Sequence, residues 1–209
     1  MLNIETELKY LLDKEAFRSV YRCLKAKNIK QNITRQANYY FDSEDLWLQE
    51  HKINIRIRKT AHGAELTCKI PETEAVEASL LRSSEYNWPL SIREADSYID
   101  DGLPVDRLLN LEGNPFHNRR IACTRLKCFG RLKTTRISFQ VFKGDEPLLL
   151  DISAYLGTFD YELEWETKDI DKGRGYVEKM FFETGITPQG PMKAKRRRFF
   201  ERLSRQPSL

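Results

Sequence analysis

Two segments of the chain carry acidic side chains at every second position. They are Glu5-Thr6-Glu7-Leu8-Lys9 near the start and Glu162-Leu163-Glu164-Trp165-Glu166 further along. Successive side chains of a β-strand point to opposite faces, so residues two apart line one face together. Like charges on one strand face repel and weaken the sheet unless an opposite charge or an ion lies over them. If these segments are strands, each predicts a cation-binding face.

A third segment carries the opposite sign of charge. Residues 52–59 alternate isoleucines with polar side chains, and Arg56 and Arg58 fall on the polar face. Two such guanidinium groups favour a multiply charged anion, because each can donate parallel hydrogen bonds to phosphate oxygens. Polyphosphate binding uses both kinds of face, since Mg²⁺ is held by protein carboxylates and substrate phosphates together. The predicted chemistry is metal-assisted binding of a polyphosphate.

Each strand taken alone has a simpler explanation. Antiparallel sheets often expose one polar face to water. A solvated face normally mixes both signs of charge with neutral polar residues, whereas these faces are segregated by sign, which favours an enclosed binding site. From the repulsion within them we expect that removing the charge of Glu5 or Glu164 would raise the stability of the metal-free protein.

Period-two alternation of apolar and polar residues dominates the rest of the chain. It predicts strands at residues 3–11, 33–42, 52–59, 64–70, 79–88, 119–129, 132–142, 147–155 and 160–166. Turn-forming pairs such as His62-Gly63, Phe129-Gly130 and Leu156-Gly157 separate several of these strands.

Helical segments interrupt the strands. Asp13 is a predicted N-cap for a helix at 14–27, and Ser91 with Glu94 is a predicted capping box for a helix at 92–99. A short helical turn is predicted at 104–111. A longer helix at 172–184 is predicted to end before Gly185.

These elements predict an α+β fold built on a closed antiparallel β-barrel, or tunnel, of about eight strands. The charged strand faces would line the lumen, and the helices would cover the apolar outer faces. Residues 1–203 are predicted to form one domain, and 204–209 a frayed tail.

Composition disfavours several other classes of protein. The 209 residues include 35 basic and 31 acidic side chains, and no apolar run is long enough to span a membrane. The four cysteines form no CxxC pair, so we expect no structural zinc and interpret them as reduced thiols of a cytoplasmic protein. We expect a monomer or a homodimer, with no membrane partner. Nucleic acid is a disfavoured partner, because a row of inward glutamates repels a polyanion.

The ordered motifs of the chain resemble those of the CYTH, or triphosphate tunnel metalloenzyme, superfamily. The resemblance begins at the ExExK motif of Glu5-Thr6-Glu7-Leu8-Lys9 and extends over nearly the whole chain, and it is greatest to the short single-domain bacterial members. The other matching motifs are Tyr39-Tyr40-Phe41-Asp42, Ile55-Arg56-Ile57-Arg58, Lys69, Arg136, Asp151, Tyr161-Glu162-Leu163-Glu164, and Lys193-Ala194-Lys195 with Arg198-Phe199-Phe200.

This resemblance implies roles for individual residues. Mg²⁺ or Mn²⁺ would be held by Glu5, Glu7, Glu85, Asp151, Glu162 and Glu164. The phosphates of a triphosphate-containing small molecule would be bound by Lys9, Arg56, Arg58, Lys69, Arg136, Lys193 and Lys195. Within these sets, the residues that would act in catalysis are Glu5, Glu7, Lys9, Arg136 and Lys195.

Two matches to the family pattern are loose. Many relatives carry a pair of acidic residues where this chain has Glu85-Tyr86-Asn87. At the C-terminus Lys195 fits the expected spacing to Arg198 and Phe199, and Lys193 lies close enough to substitute for it. The aromatic pair Phe199-Phe200 predicts a short helix that docks there and brings Lys195 to the mouth of the tunnel.

The function predicted is hydrolysis of the terminal phosphoanhydride of inorganic triphosphate or of a related organic triphosphate, in a metal-dependent reaction. A class IV adenylate cyclase would use the same barrel, with a ribose hydroxyl as the nucleophile. A non-catalytic polyphosphate or nucleotide-binding protein is a further alternative. The intact carboxylate pairs disfavour it, because such a protein could lose its metal ligands.

Overall fold

A computed structural model of the chain describes residues 2–71, 80–116, 121–187 and 193–206. The strands are β1 (Leu2–Leu12), β2 (Gln31–Asp42), β3 (Asn54–Thr60), β4 (Gly63–Pro71), β5 (Leu80–Leu90), β6 (Leu103–Pro104), β7 (Arg125–Phe139), β8 (Leu148–Tyr155) and β9 (Thr158–Trp165). The helices are α1 (Lys14–Ala26), α2 (Trp47–Glu50), α3 (Ile92–Asp101), α4 (Val105–Leu109), α5 (Ile170–Thr184) and α6 (Lys195–Leu203).

Eight of the strands form a closed antiparallel barrel. They follow the order β2-β3-β4-β5-β1-β9-β8-β7, and a pairing between β2 and β7 closes the ring. The short strand β6 pairs with the start of β7 outside this ring. The predicted α+β barrel with flanking helices is therefore confirmed.

The apolar core lies between the outside of the barrel and the helices. On β3, Ile55 and Ile57 are fully buried on the face opposite Arg56 and Arg58. One part of the core joins such strand residues to α3 and α4, through Ala95, Leu103, Val105 and Leu108. A second part packs α1 and α5 on β1 and β9, through Leu8, Phe17, Leu163, Trp165 and Val177. Because the apolar faces point outward, the charged faces must point into the lumen.

The predicted helix caps are present. The Asp13 carboxylate accepts a hydrogen bond from the Ala16 amide at 2.7 Å, and Ser91 and Glu94 form a reciprocal capping box at the start of α3. Neither the four-residue helix α2 nor the two-residue strand β6 was predicted, because elements this short have too few residues to show a period.

The prediction of two strands at 119–129 and 132–142 was wrong, because one continuous strand, β7, runs through the expected turn. Tyr40 lies opposite Gly130 and Phe41 lies opposite Cys128, so Phe129 is an extra residue in a β-bulge. Gly130 has φ 143°, and a Cβ atom there would lie 2.9 Å from Cζ of Phe199. This glycine therefore allows close approach of α6 and does not reverse the chain. Residues 119 and 120, and residue 79 of another predicted strand, lie outside the described residues.

Helix α6 closes one end of the barrel with aromatic side chains. Phe199 and Phe200 are buried against Tyr40, Leu132 and Tyr155. The Phe199 ring centroid is 5.2 Å from that of Tyr40 and 6.0 Å from that of Tyr155. Along β7 and β8, Leu132 and Tyr155 are separated by an even number of residues from the charged side chains that point into the lumen. Their side chains therefore also point into the lumen, and α6 packs on them. The helix predicted from the aromatic pair is present at this position.

No helix in the described ranges has the length and apolar character needed to cross a membrane.

Replacing Gly173 with Ala is expected to destabilise the protein by about 1–3 kcal/mol, the usual cost of overpacking. A Cβ atom at this position would lie 2.4 Å from Cγ2 of Thr167 and 3.3 Å from Cδ1 of Leu8, where α5 crosses β1. Gly175→Ala in the same helix is the matched control, because no atom other than the backbone of its own helix turn and chain neighbours lies within 4 Å of its Cβ position. It should be neutral or stabilise by up to about 1 kcal/mol. Urea unfolding measures both, and equal free energies of unfolding would contradict the close packing of α5 on β1.

Candidate active site

The antiparallel register places charges of opposite sign side by side in the lumen. Lys9 on β1 lies opposite Glu164 on β9, and Asp151 on β8 lies opposite both Glu162 and Arg136. Directly opposed residues of an antiparallel pair share a face. Strand β1 at the start of the chain and the consecutive strands β7, β8 and β9 therefore contribute to one row of charges.

The first charged cluster contains three carboxylates and three cations. Its carboxylates are Asp151, Glu162 and Glu164, and its cations are Lys9, Arg136 and Lys195. Arg136 donates a fork of two hydrogen bonds to Asp151, from Nε at 2.8 Å and from Nη2 at 2.7 Å, and Nη2 also lies 2.8 Å from Glu164. The Lys195 Nζ contacts Asp151 and lies 3.2 Å from Glu162 and 2.9 Å from Glu164. Lys9 contacts Glu164 and lies 3.6 Å from Glu162.

Pairing outweighs burial in setting the pKa values of this cluster. Burial alone would raise the pKa of Glu164, but the charges of Lys195, Lys9 and Arg136 hold it well below its usual range. Burial alone would lower the pKa of Lys9, and here the carboxylates raise it instead. Glu164 and Lys9 are therefore both charged at neutral pH, so this pair could exchange its contacts for a metal ion and an anion.

The second charged cluster lies where β3, β4, β5 and β1 meet. Glu85 Oε2 is 3.4 Å from Arg56 Nη2 and 3.8 Å from Lys69 Nζ, and Lys69 also contacts Glu5. Asn87 donates a hydrogen bond to Glu85 at 2.9 Å. Burial opposes ionisation of Glu85, but Arg56 and Lys69 lower its pKa. Asn87 thus helps to hold Glu85 in place.

Arg58 is a lumen cation whose charge is only partly compensated by its neighbours. Its Nε donates to Asn38 at 3.3 Å, and its Nη1 lies 3.4 Å from Glu65, a carboxylate with 36 % of its side chain exposed. Burial, together with the positive charges of Arg56 and Arg136, lowers the pKa of Arg58 to about 10. An anion bound beside these arginines would relieve that unfavourable potential.

Glu166 was absent from the predicted site residues. Burial, together with the charges of Glu5 and Glu7, raises the pKa of Glu166 to about 7. Glu166 lies two residues after Glu164. The alternation of side chains along β9 therefore indicated that Glu166 points in the same direction as Glu164. Its excess of negative neighbours marks a place where a cation would be favoured.

Two C-terminal residues lie differently from what the motif alone suggested. Lys193 lies apart from the lumen, with its Nζ 2.9 and 2.8 Å from the oxygens of Glu201 on the surface. Arg198, which was given no role, lies 3.0 Å from Glu162 and donates to Asp160 at 2.7 Å. Its position one helical turn after Lys195 could have indicated a shared face.

The carboxylates of the lumen are chemically suitable ligands for a divalent cation, but their present arrangement does not form a coordination site. Hard divalent cations take oxygen ligands. Both carboxylate oxygens of Glu162 are buried, with lysine and arginine groups 3.0–3.6 Å away but no well-oriented hydrogen bond. Within the described part of the chain, however, no three acidic, histidine or cysteine side chains converge closely enough to hold an ion. Several carboxylates turn toward lysine or arginine instead, so side-chain rotation would have to accompany metal binding.

A separate cavity of about 600 Å³ lies beside the barrel, lined by Ser43, Trp47, Gly102, Cys123 and Cys128 among others. None of the paired lumen charges lines it, so the paired charges of the lumen remain the candidate site.

Comparisons with known proteins agree with the fold and the charge pattern. The model of the CYTH domain matches residues 3–200. The chain is 31% identical over 198 residues to "Putative triphosphatase YjbK" of Bacillus subtilis strain 168, covering 95% of each chain.

Two solved structures are similar over almost their full length. One is a "putative adenylate cyclase" from Bacillus halodurans, with 29% identity and a TM-score of 0.71 over 95% of this chain and 98% of that one. The other is HpAC1 from Hippeastrum, described as a "putative adenylyl cyclase" with a dominant triphosphatase activity. It has 20% identity and a TM-score of 0.79 over 94% of this chain and 95% of that one, and at this identity the likeness concerns the fold alone. The family model spans nearly all of the sequence, and the chain therefore belongs to the CYTH domain family.

Proposed function

We propose that this chain is a metal-dependent triphosphatase that hydrolyses the terminal phosphoanhydride of inorganic triphosphate or of a related organic triphosphate. The proposal rests on one observation. The lumen encloses an arginine wall, formed by Arg56, Arg58 and Arg136, beside two clusters that contain carboxylates. Arg58 lies close enough to Arg56 and Arg136 that their positive charges lower its pKa. The printed names of the Bacillus subtilis and Hippeastrum relatives support this activity.

The phosphate-binding residues are proposed to be Lys9, Arg56, Arg58, Lys69, Arg136 and Lys195. Lys9, Arg136 and Lys195 already point into the lumen, where phosphate oxygens would replace part of their carboxylate contacts. Arg56 and Arg58 lie in mid-strand on a rigid wall. We leave Lys193 out of the set, because it is paired on the surface.

The metal-binding residues are proposed to be Glu5, Glu7, Glu85, Asp151, Glu162 and Glu164, and we add Glu166 to them. When bound, Mg²⁺ or Mn²⁺ supplies a Lewis acid that polarises the phosphate oxygens. A glutamate of this set orients the attacking water and accepts its proton, and the lysines and arginines stabilise negative charge on the transferred group. We further infer a cytoplasmic location from the four cysteines, which form no disulfide with one another, and a monomer or homodimer.

A panel of substrates tests the proposal directly. Inorganic triphosphate, thiamine triphosphate and ATP would each be incubated with Mg²⁺ or Mn²⁺, and released phosphate, pyrophosphate and cyclic AMP would be measured. We expect phosphate from at least one substrate and none in excess EDTA, with the fold retained in EDTA because backbone hydrogen bonds close the barrel. Full activity in EDTA would contradict metal dependence. Release of cyclic AMP together with pyrophosphate would instead indicate an adenylate cyclase, which is the activity in the printed name of the Bacillus halodurans relative.

Arg56→Ala and Arg58→Ala should each weaken binding of inorganic triphosphate by about 1.5–3 kcal/mol, the scale of a hydrogen bond to a charged group. The lysine variants should recover only part of this, because an ammonium group cannot reproduce the guanidinium fork. Titration calorimetry in the presence of the metal measures both. Lys193→Ala is the control and should bind normally, because Lys193 pairs with Glu201 on the surface. Unchanged affinity in both alanine variants would remove the arginine wall from the site.

Glu166→Gln is expected to raise the stability of the metal-free protein above neutral pH. The folded-state pKa of about 7 lies above the usual glutamate value, so folded protein binds more protons and loses stability as pH rises from about 4.5 to 7. The loss should be on the order of 1–2 kcal/mol after allowance for solvent screening. Thermal unfolding in EDTA at pH 5.5 and 8 should give a smaller pH dependence for Glu166→Gln than for the wild type.

Glu164→Gln is the contrasting variant for this experiment. The sequence-based expectation was that this change relieves repulsion, whereas the contacts of Glu164 with Lys9, Arg136 and Lys195 favour the opposite effect. Its loss removes one carboxylate contact from each of these three buried cations, so stability should fall at both pH values. Equal pH slopes in the wild type and Glu166→Gln would contradict the assignment of a raised pKa to Glu166.

A further inference from the structure

Asp42, at the end of β2, is a buried carboxylate whose position is fixed by the backbone that follows it. It has no exposed surface. Its Oδ1 accepts hydrogen bonds from the amides of Ser43 at 2.9 Å and Leu48 at 2.8 Å, and its Oδ2 accepts one from the amide of Gln49 at 3.0 Å. Three backbone donors, one directly after Asp42 and two in helix α2, therefore hold this acceptor in a single orientation.

The fourth partner of Asp42 comes from the C-terminal helix. Arg196 Nη2 donates to Asp42 Oδ2 at 2.8 Å, and the guanidinium carbon lies 4.9 Å from the ring centroid of Phe200. Arg196 is also buried, so the contact joins the start of α6 to the end of β2 away from water. Arg196 immediately follows Lys195, whose ammonium group enters the first charged cluster.

Neighbouring residues of a helix point about 100° apart, so Lys195 and Arg196 contact different walls of the barrel. Lys195 reaches Asp151, Glu162 and Glu164, and these three carboxylates are proposed metal ligands. When metal and triphosphate bind, those contacts are the ones that must change. The contact of Arg196 with Asp42 involves none of these carboxylates, and it can persist through that change.

Burial raises the pKa of Asp42 and lowers the pKa of Arg196, so desolvation outweighs the mutual attraction of the pair. A buried ion pair of this kind contributes little net stability compared with an apolar pair of the same size. Its geometry is nevertheless specific, since the carboxylate cannot rotate away from its backbone donors. Conformational specificity is the better explanation for such a contact.

We propose that Asp42 and Arg196 are positioning residues that fix the first turn of α6 and so hold the Lys195 ammonium group in the lumen. The pair acts through Lys195 and contacts no substrate itself. Its functional consequence rests on the proposed triphosphatase activity, but the position of Lys195 can be measured without it.

Chemical labelling of Lys195 tests the positioning. The protein would be treated briefly with acetic anhydride, and acetylation of Lys195 would be measured by mass spectrometry relative to Lys179, whose side chain is 75% exposed. In the wild type, Lys195 should react slowly, because its side chain is 14% exposed and paired. Arg196→Met should raise the ratio of Lys195 to Lys179 labelling by about tenfold, since it opens the first turn of α6 locally.

The companion variants separate positioning from general unfolding. Arg196→Met leaves Asp42 its three backbone donors, and circular dichroism and melting temperature would verify the fold. Arg196→Lys should give an intermediate ratio, and it carries the test if the methionine variant does not fold. Arg197→Met is the matched control, because Arg197 is exposed on the same helix and pairs with Glu201 at 3.1 Å. An unchanged Lys195 ratio in folded Arg196→Met, or an equal rise in Arg197→Met, would overturn the proposal.

Kinetics with inorganic triphosphate and Mg²⁺ connect the position of Lys195 to function. Arg196→Met should raise KM several-fold, and the double variant with Lys195→Met should be no worse than Lys195→Met alone, because both changes remove the same contact. Additive effects would mean that Arg196 acts independently of Lys195, which would also overturn the proposal. If the wild type hydrolyses no triphosphate, the proposed function fails while the labelling result still decides the positioning.

Discussion

The enclosure of charged side chains in a closed barrel is the constraint on which the rest of this structure depends. Alternate residues of every strand point inward, so acidic and basic side chains are forced into a space with little water. An isolated charge in such a place is costly unless an opposite charge or hydrogen bonds compensate it. Lys9, Arg136 and Lys195 therefore lie against Asp151, Glu162 and Glu164. In the proposed function, these internal partners are exchanged for a metal ion and phosphate groups.

The same constraint explains the helices. A barrel with charges inside presents its apolar faces outside, and these must be covered. Helices α1 and α5 cover β1 and β9, while α3 and α4 cover β3, β4 and β5. The close contact of Gly173 with Thr167 and Leu8 follows from this arrangement, because α5 lies directly on the barrel wall.

Helix α6 differs from the other helices because it packs on side chains that face the lumen. Its aromatic residues close one end of the barrel, and its basic residues contact carboxylates on different strands. Gly130 allows this approach by leaving room for Phe199. The bulge in β7 and the docking of α6 are thus parts of one structural feature. The docked helix places Lys195 in the first charged cluster.

The sequence by itself determined the barrel, the inward-facing charges and the principal helices. Period-two alternation, sign-segregated faces and capping residues such as Asp13 and Ser91 are local signals, since each depends on residues only a few positions apart. The family motifs extended this to most of the residues that meet in the lumen. The tertiary structure decided what depends on partners distant in sequence. Gly130 resembles a turn glycine until β2 is paired beside it and Phe199 lies over it.

The electrostatic roles of the charged residues could be assigned only from the tertiary structure, because they also depend on partners distant in sequence. Spacing alone could not separate Lys195, which enters the lumen, from Lys193, which pairs with Glu201 on the surface. Nor could it show that Glu164 is neutralised by three cations while Glu166 is left with an excess of negative neighbours. The partnership of Asp42 with Arg196 joins residues 154 positions apart. A pKa depends on every charge within a few ångströms, and only the closed barrel brings those charges together.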